Sequence, residues 1–247
     1  IAINYAPPSD DSVSRIYEIS GYGLFKNKNY GVVTFAGPKG TNGSGGHGHN
    51  DKCSFVLQMD GKPILVDPGT YIYNPSTMER FALKKTSVHN TISIDSQEQC
   101  DIKPSLVFGL KSSIQSKVDS ATEDGCFVVM MSHDGYSRFA TIDVIRRSLK
   151  FMEKAIDITD SVCGSGKHIV ETSFNIHPDC HLDKNLNTIL INNQDRAIKI
   201  VLPDFMSVGV KDSEFSDRYH HKTLSKIIYA SFVMDLPISW NTRIEFL

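Results

Sequence analysis

Apolar and polar positions alternate along most of this chain, the period-two pattern of strands with one buried face. Tyr30 to Phe35 is rich in β-branched and aromatic residues and ends in a Gly/Pro/Asn/Ser stretch, Ala36 to Gly46. Ser54 to Met59 and Pro63 to Asp67 flank Asp60-Gly61, a pair suited to the positive φ angles of a tight hairpin. Asn90 to Asp95 alternates, with Ile92 and Ile94 on one face. Cys126 to Met131, Ser137 to Val144 and Ser148 to Asp157 read as successive strands, with His133-Asp134-Gly135 as a turn. Ile169 to His177, Thr188 to Ile191, Ala197 to Leu202 and Ile227 to Leu236 continue the series, and the polar Asn192 to Asp195 interrupts it as a turn.

Helix is predicted only over Pro8 to Ile19 and Ser76 to Leu83. Regular turn signals without a long amphipathic helix imply an all-β fold, a large antiparallel β-sandwich. There is no internal repeat, low-complexity segment or linker, so one domain over residues 1–247 is expected, a size that one all-β core can fill.

Composition narrows the function classes. Apolar residues make up 40% and charged residues 22%, ordinary for a globular protein, and no apolar run approaches the ~18–20 residues of a membrane helix. A net charge of −2 argues against nucleic acid as a partner. An acidic ligand would need a local basic cluster, for which Arg80, Lys84 and Lys85 are the candidates, the two lysines being expected at the solvated surface. Five widely spaced cysteines without a C-x-x-C pair are expected as buried or half-buried thiols, and they do not report the compartment. The start, Ile1-Ala2-Ile3-Asn4-Tyr5, has neither an initiator Met nor a leader pattern, as expected if a signal was removed or the chain is an excised fragment, and the motifs below favour the fragment.

The chemistry concentrates in Gly45-Gly46-His47-Gly48-His49-Asn50-Asp51. In extended backbone His47, His49 and Asp51 would share a face, and the glycines would permit close approach. Two imidazoles on one face suit a metal. Asp67, at the end of a predicted strand, and His89, just before another, would add ligands from separate strand ends, a nitrogen and oxygen set that fits zinc. An H-x-H alone does not decide for a metal. Tyr71 and Tyr73 alternate after Asp67, placed for packing or saccharide contact as readily as for acid catalysis.

The stretch GGHGHNDKCSFVLQMDGKPILVDPGTYIYN, followed by RFALKKTSVHNTISIDSQEQ, resembles the signature of the heparinase II/III family. Weaker likeness continues through His133-Asp134-Gly135-Tyr136, Phe174-Asn175-Ile176-His177-Pro178 and Ser216-Asp217-Arg218-Tyr219. The resemblance implies the C-terminal β-sandwich of a polysaccharide lyase whose N-terminal half is an (α/α) toroid, with substrate in the cleft between them. It implies β-elimination on a uronic-acid polysaccharide, His47 as a catalytic histidine, and His49, Asp67 and His89 as ligands of one structural zinc ion. It also implies a periplasmic or secreted location.

Elimination needs a base near neutral pKa to take the C5 proton and positive charge or hydrogen bonds to hold the carboxylate, for which Arg80 is the substrate-binding candidate. In the family the proton-donating tyrosine and the group that neutralises the carboxylate come from the toroid, so this chain alone is expected to show little or no turnover. A non-catalytic, zinc-stabilised carbohydrate-binding or scaffold sandwich is the alternative. A cupin-like metal enzyme fits less well, because the Glu expected soon after the second His is missing from Asp51-Lys52-Cys53-Ser54-Phe55.

Overall fold

The computed structural model describes residues 12–38, 40, 46–73, 78–102, 109–110 and 114–247. Among these residues the strands are β1 (Val13–Tyr17), β2 (Tyr22–Lys26), β3 (Gly31–Phe35), β4 (Ser54–Met59), β5 (Lys62–Leu65), β6 (Ile92–Ile94), β7 (Ser116–Glu123), β8 (Cys126–His133) and β9 (Ile142–Phe151). They continue as β10 (Ala155–Gly164), β11 (Lys167–Ile176), β12 (His181–Asn185), β13 (Thr188–Asn193), β14 (Arg196–Val201), β15 (Ser207–Arg218), β16 (His221–Asp235) and β17 (Ile238–Phe246). A short helix α1 (Met78–Ala82) and a 3-10 turn (Thr86–Val88) lie between β5 and β6.

One antiparallel sheet runs β1-β2-β3-β4-β5-β11-β16-β15, and the other runs β12-β13-β14-β17-β10-β9-β8-β7. Alternation drives their packing. Inward residues such as Ile158, Ile191, Ile200 and Ile244 of the second sheet join Phe174 and Ile228 of the first in one core, all fully buried. The Asp60-Gly61 hairpin forms as expected, with φ of 47° and 77° joining β4 to β5. The five cysteines are free thiols, two buried and three half-buried, as expected.

Several expected boundaries differ. β1 occupies the second half of the segment expected as helix, Pro8 to Ile19, because its backbone is paired in register with β2; Pro8 to Asp11 lie outside the described residues. Of Ser76 to Leu83, Met78–Ala82 are helical, and Ser76 and Thr77 are outside the described residues. Ser137 to Thr141 form turns, and β9 begins only at Ile142. Ser148 to Asp157 is a hairpin rather than one strand: β9 ends at Phe151, and the Met152 N–H donates to the Ala155 carbonyl at 2.9 Å as β10 begins. That turn carries neither Gly nor Pro, so its sequence does not announce it.

Two features of the fold bring the candidate site residues together and support them. β5 and β6 both lie against the edge of β11 opposite β16, with Leu65 opposite Ile176 and Ile92 opposite Thr172. The chain leaving β5 and the chain entering β6 therefore meet, although 26 residues separate those strands. Beneath that meeting point Arg147 of β9 crosses from the second sheet. Its Nε and Nη2 grip the Asp160 carboxylate at 2.6 and 2.9 Å, and Nη1 donates to the carbonyls of Cys53 and Asn90 at 3.1 and 2.7 Å. Both partners are 1% exposed, so the guanidinium fork is a polar rivet between the sheets.

Candidate metal centre and the surface around it

The meeting of β5 and β6 brings Asp67 and His89 together. Asp67 Oδ2 lies 2.8 Å from His89 Nδ1, and the His49 ring is centred 5.4 Å from that of His89. One donor atom from each of the three residues lies within 4.8 Å of the others. This is the trio expected from the sequence. His89 is 0% exposed, and its Nε2 has no hydrogen-bond partner among the described residues, a costly state for a buried polar atom. Two imidazoles, a carboxylate and an otherwise orphaned ring nitrogen fit a zinc-type ion.

Charge distribution favours the ligating forms of His49 and Asp67. Burial, and then repulsion from His89, push the His49 imidazole down to about 4, so it is neutral at pH 7. Desolvation works against the Asp67 carboxylate, but attraction to His89, its hydrogen bond, His49 and the Gly69 N–H outweigh it and hold the group at about 2. Burial opposes the charged form of His89, yet the charge and hydrogen bond of Asp67 raise its pKa.

Each histidine of the trio is followed by a buried asparagine, and sequence reasoning missed both. Asn50 Nδ2 donates to Glu98 Oε2 and the Cys100 carbonyl, both at 2.8 Å, while its Oδ1 accepts the Cys100 N–H at 3.0 Å. Asn90 Nδ2 donates to the carbonyls of Phe55 and Val66 at 2.7 and 3.1 Å, and its Oδ1 accepts the Asn175 N–H. The amides thus clamp the chain beside His49, Asp67 and His89. Gln99 extends the frame, accepting the Lys52 N–H at 2.9 Å and donating to the Lys52 carbonyl at 3.1 Å. The repeated His-Asn dipeptide was the signal available for them.

His47 is not part of the trio. Its φ of 59° breaks the extended backbone that would have put it on one face with His49, and its side chain is exposed. Asp51 is likewise outside the trio, pairing instead with buried Lys52 at 2.9 Å. Around His47 lies a different surface. The His47 ring is centred 5.9 Å from that of Tyr73, and the Arg80 guanidinium carbon sits 5.0 Å from the centre of the Tyr73 ring. Arg80, expected at the substrate, is 1% exposed and donates from Nη1 to the Ile72 carbonyl at 2.9 Å. Lys84, expected in solvent, is fully buried. Burial and then the charge of Arg80 bring its ammonium down to about 8, while Lys85 is exposed.

The β15–β16 hairpin borders the same surface. The Ser216 N–H donates to the Pro68 carbonyl and the His220 N–H to the Tyr71 carbonyl, both at 2.9 Å. Gly69, at φ 79°, makes this docking possible, because a Cβ there would lie 2.1 Å from the Ser216 oxygen.

Comparison with known proteins bears on the fold. Residues 14–243 match the family described as Heparinase II/III-like, C-terminal. No curated protein matches the chain. Among solved structures, the heparinase III product of the BT4657 gene is similar at 22% identity and a TM-score of 0.79, over 98% of this chain and 37% of that one. Heparan sulfate lyase HepC from Pedobacter heparinus is similar at 18% identity and a TM-score of 0.76, over 95% of this chain and 36% of that one. This chain thus spans little more than a third of the structures it resembles, and those likenesses establish its fold. With the family match running from β1 to β17, the chain belongs to the heparinase II/III-like C-terminal domain family.

Proposed function

We propose that this chain is the β-sandwich part of a lyase that cleaves a uronic-acid-containing polysaccharide by β-elimination. The carrying observation is the family match over residues 14–243 together with an exposed His47 two residues from the His49, Asp67 and His89 cluster. The cluster would hold one zinc ion that fixes the loops carrying His47. In the reaction the His47 imidazole accepts the C5 proton, the electron pair forms the C4=C5 double bond, and the C4–O bond breaks as its oxygen is protonated. The leaving-group proton and the partner for the substrate carboxylate would come from a toroid domain of the parent protein. Arg80, beneath Tyr73, would act by positioning that ring rather than by touching sugar. Export to the periplasm or beyond belongs to the same proposal.

Elemental analysis and an elimination assay test it. The purified chain should carry about one zinc, lost in His49→Ala and kept in His47→Ala. The parent protein should release products with the ultraviolet absorbance of a C4=C5 uronate, this chain alone should not, and His47→Ala should abolish the parent's activity. Zinc without elimination by the parent would favour a zinc-stabilised, non-catalytic sandwich.

A further inference from the structure

The surface beside His47 carries aromatic side chains for which neither the trio nor the elimination step has a use. Tyr73 is 50% and Tyr219 59% exposed, and their rings are nearly parallel, at 23° with centroids 6.3 Å apart. His220 stands edge-on to Tyr219 at 4.5 Å and to Tyr71 at 5.8 Å. Neighbouring tyrosines held in water mark a surface that meets something. The backbone is held in a rarely occupied shape to present them: His47, Tyr71 and His220 have φ of 59°, 67° and 58°. The two hydrogen bonds from the β15–β16 hairpin to the Pro68–Tyr71 segment hold the Tyr71 and His220 parts of that shape, and strain maintained in this way points to function.

Charge says what kind of ligand fits. At the surface Lys222 is paired with Glu214 and Glu79, and Asp217 with His221, while the Arg80 guanidinium is buried beneath the Tyr73 ring. What remains is a pair of aromatic faces with imidazole at their edge. Such a surface recognises a flat, weakly polar face bordered by hydrogen-bonding groups.

We propose that Tyr73 and Tyr219 form a sugar-ring subsite, stacking on the C–H face of a pyranose in the glycan that reaches His47, with His220 at the hydroxyl edge. This rests on the polysaccharide reading of the same surface and adds that the subsite reads ring shape, not acidity.

The test uses the 247-residue chain with carbon-13-labelled tyrosine rings, titrated with heparan sulfate, oligo-uronate and neutral glucan oligosaccharides and followed by NMR. The ring signals of Tyr73 and Tyr219 should shift. Tyr219→Ala should weaken binding about tenfold or more with zinc content unchanged, equivalent to at least about 1.4 kcal/mol. Tyr219→Phe should retain binding, because the ring face and not the hydroxyl makes the contact, and Tyr17→Ala, on β1, should have no effect. Uronate binding that leaves both ring signals unmoved and survives in Tyr219→Ala overturns the subsite while leaving the polysaccharide reading standing. Binding of neutral glucan alone, with both rings shifted, supports the subsite and removes the acidic-substrate reading. If no saccharide moves the tyrosine signals, the subsite is overturned, and the patch is then a contact for other parts of the parent protein.

Discussion

His47 and His49 are two residues apart and live in opposite surroundings. On the His49 side buried amides lock the backbone: Asn50, Asn90 and Gln99 each grip it, and Arg147 rivets the sheets below. On the His47 side the side chains are exposed aromatics in loose contact, held by their backbone rather than by burial. The inner region has the features of a rigid mount, and the outer one those of a surface left open for a ligand. A single positive φ at His47 turns the chain from one environment into the other.

If that division is right, substitutions should separate into large and small effects on stability. Arg147→Met leaves Asp160 buried without a counter-ion and should cost about 3–5 kcal/mol in denaturant unfolding. Arg147→Met combined with Asp160→Leu should recover much of it, and a small effect of the single change would mean that the sheets are not riveted there. Asn90→Ala strips partners from buried backbone at Phe55, Val66 and Asn175 and should cost about 1–3 kcal/mol. On the zinc proposal it should also weaken retention of the ion by roughly 10–100-fold against a competing chelator.

Acid should act on the inner region through His133. Its Nδ1 accepts the Gly135 N–H at 3.1 Å, its Nε2 has no partner among the described residues, and burial followed by the charges of Lys52 and Arg147 depress its pKa to about 3. The folded state therefore binds this proton less readily than the unfolded chain, where histidine titrates near about 6.5. Its contribution is fully present above about pH 6.5 and is lost as pH falls toward about 3, by about 1.4 kcal/mol per pH unit. Urea unfolding at several pH values should show this slope, reduced in His133→Gln. At the small end, Tyr219→Ala should change stability by less than about 0.5 kcal/mol. A larger loss would mean that the outer patch is structural after all.

The legibility of the sequence followed the same division. Local signals were dependable where local physics decides. Asp60-Gly61 made its hairpin because the turn itself demands positive φ. The isoleucine alternation of β13 and β14 marked buried faces because a strand's period is two. The break between β9 and β10 was hidden because β9 and β10 continue the same pattern on either side of a turn without Gly or Pro. Arg147 and Asp160 gave no sign of their pairing, since the turn that sets them opposite each other is hidden, and the carbonyls of Cys53 and Asn90 that Arg147 also holds come from segments far away in the chain.

What the sequence determined by itself was the all-β class, the family likeness and the three candidate ligands. Alternation and the H-x-H, Val-Asp-Pro-Gly and His-Asn-Thr words are properties of the chain. The tertiary structure decided that Asp67 and His89 are neighbours, because β5 and β6 share one edge of β11. It also buried Arg80 and Lys84, charges that composition alone would leave in water. It separated His47 from the trio and set it beside Tyr73 and the β15–β16 hairpin. These are relations between segments far apart in the chain, and they exist only once two sheets have closed on a common core.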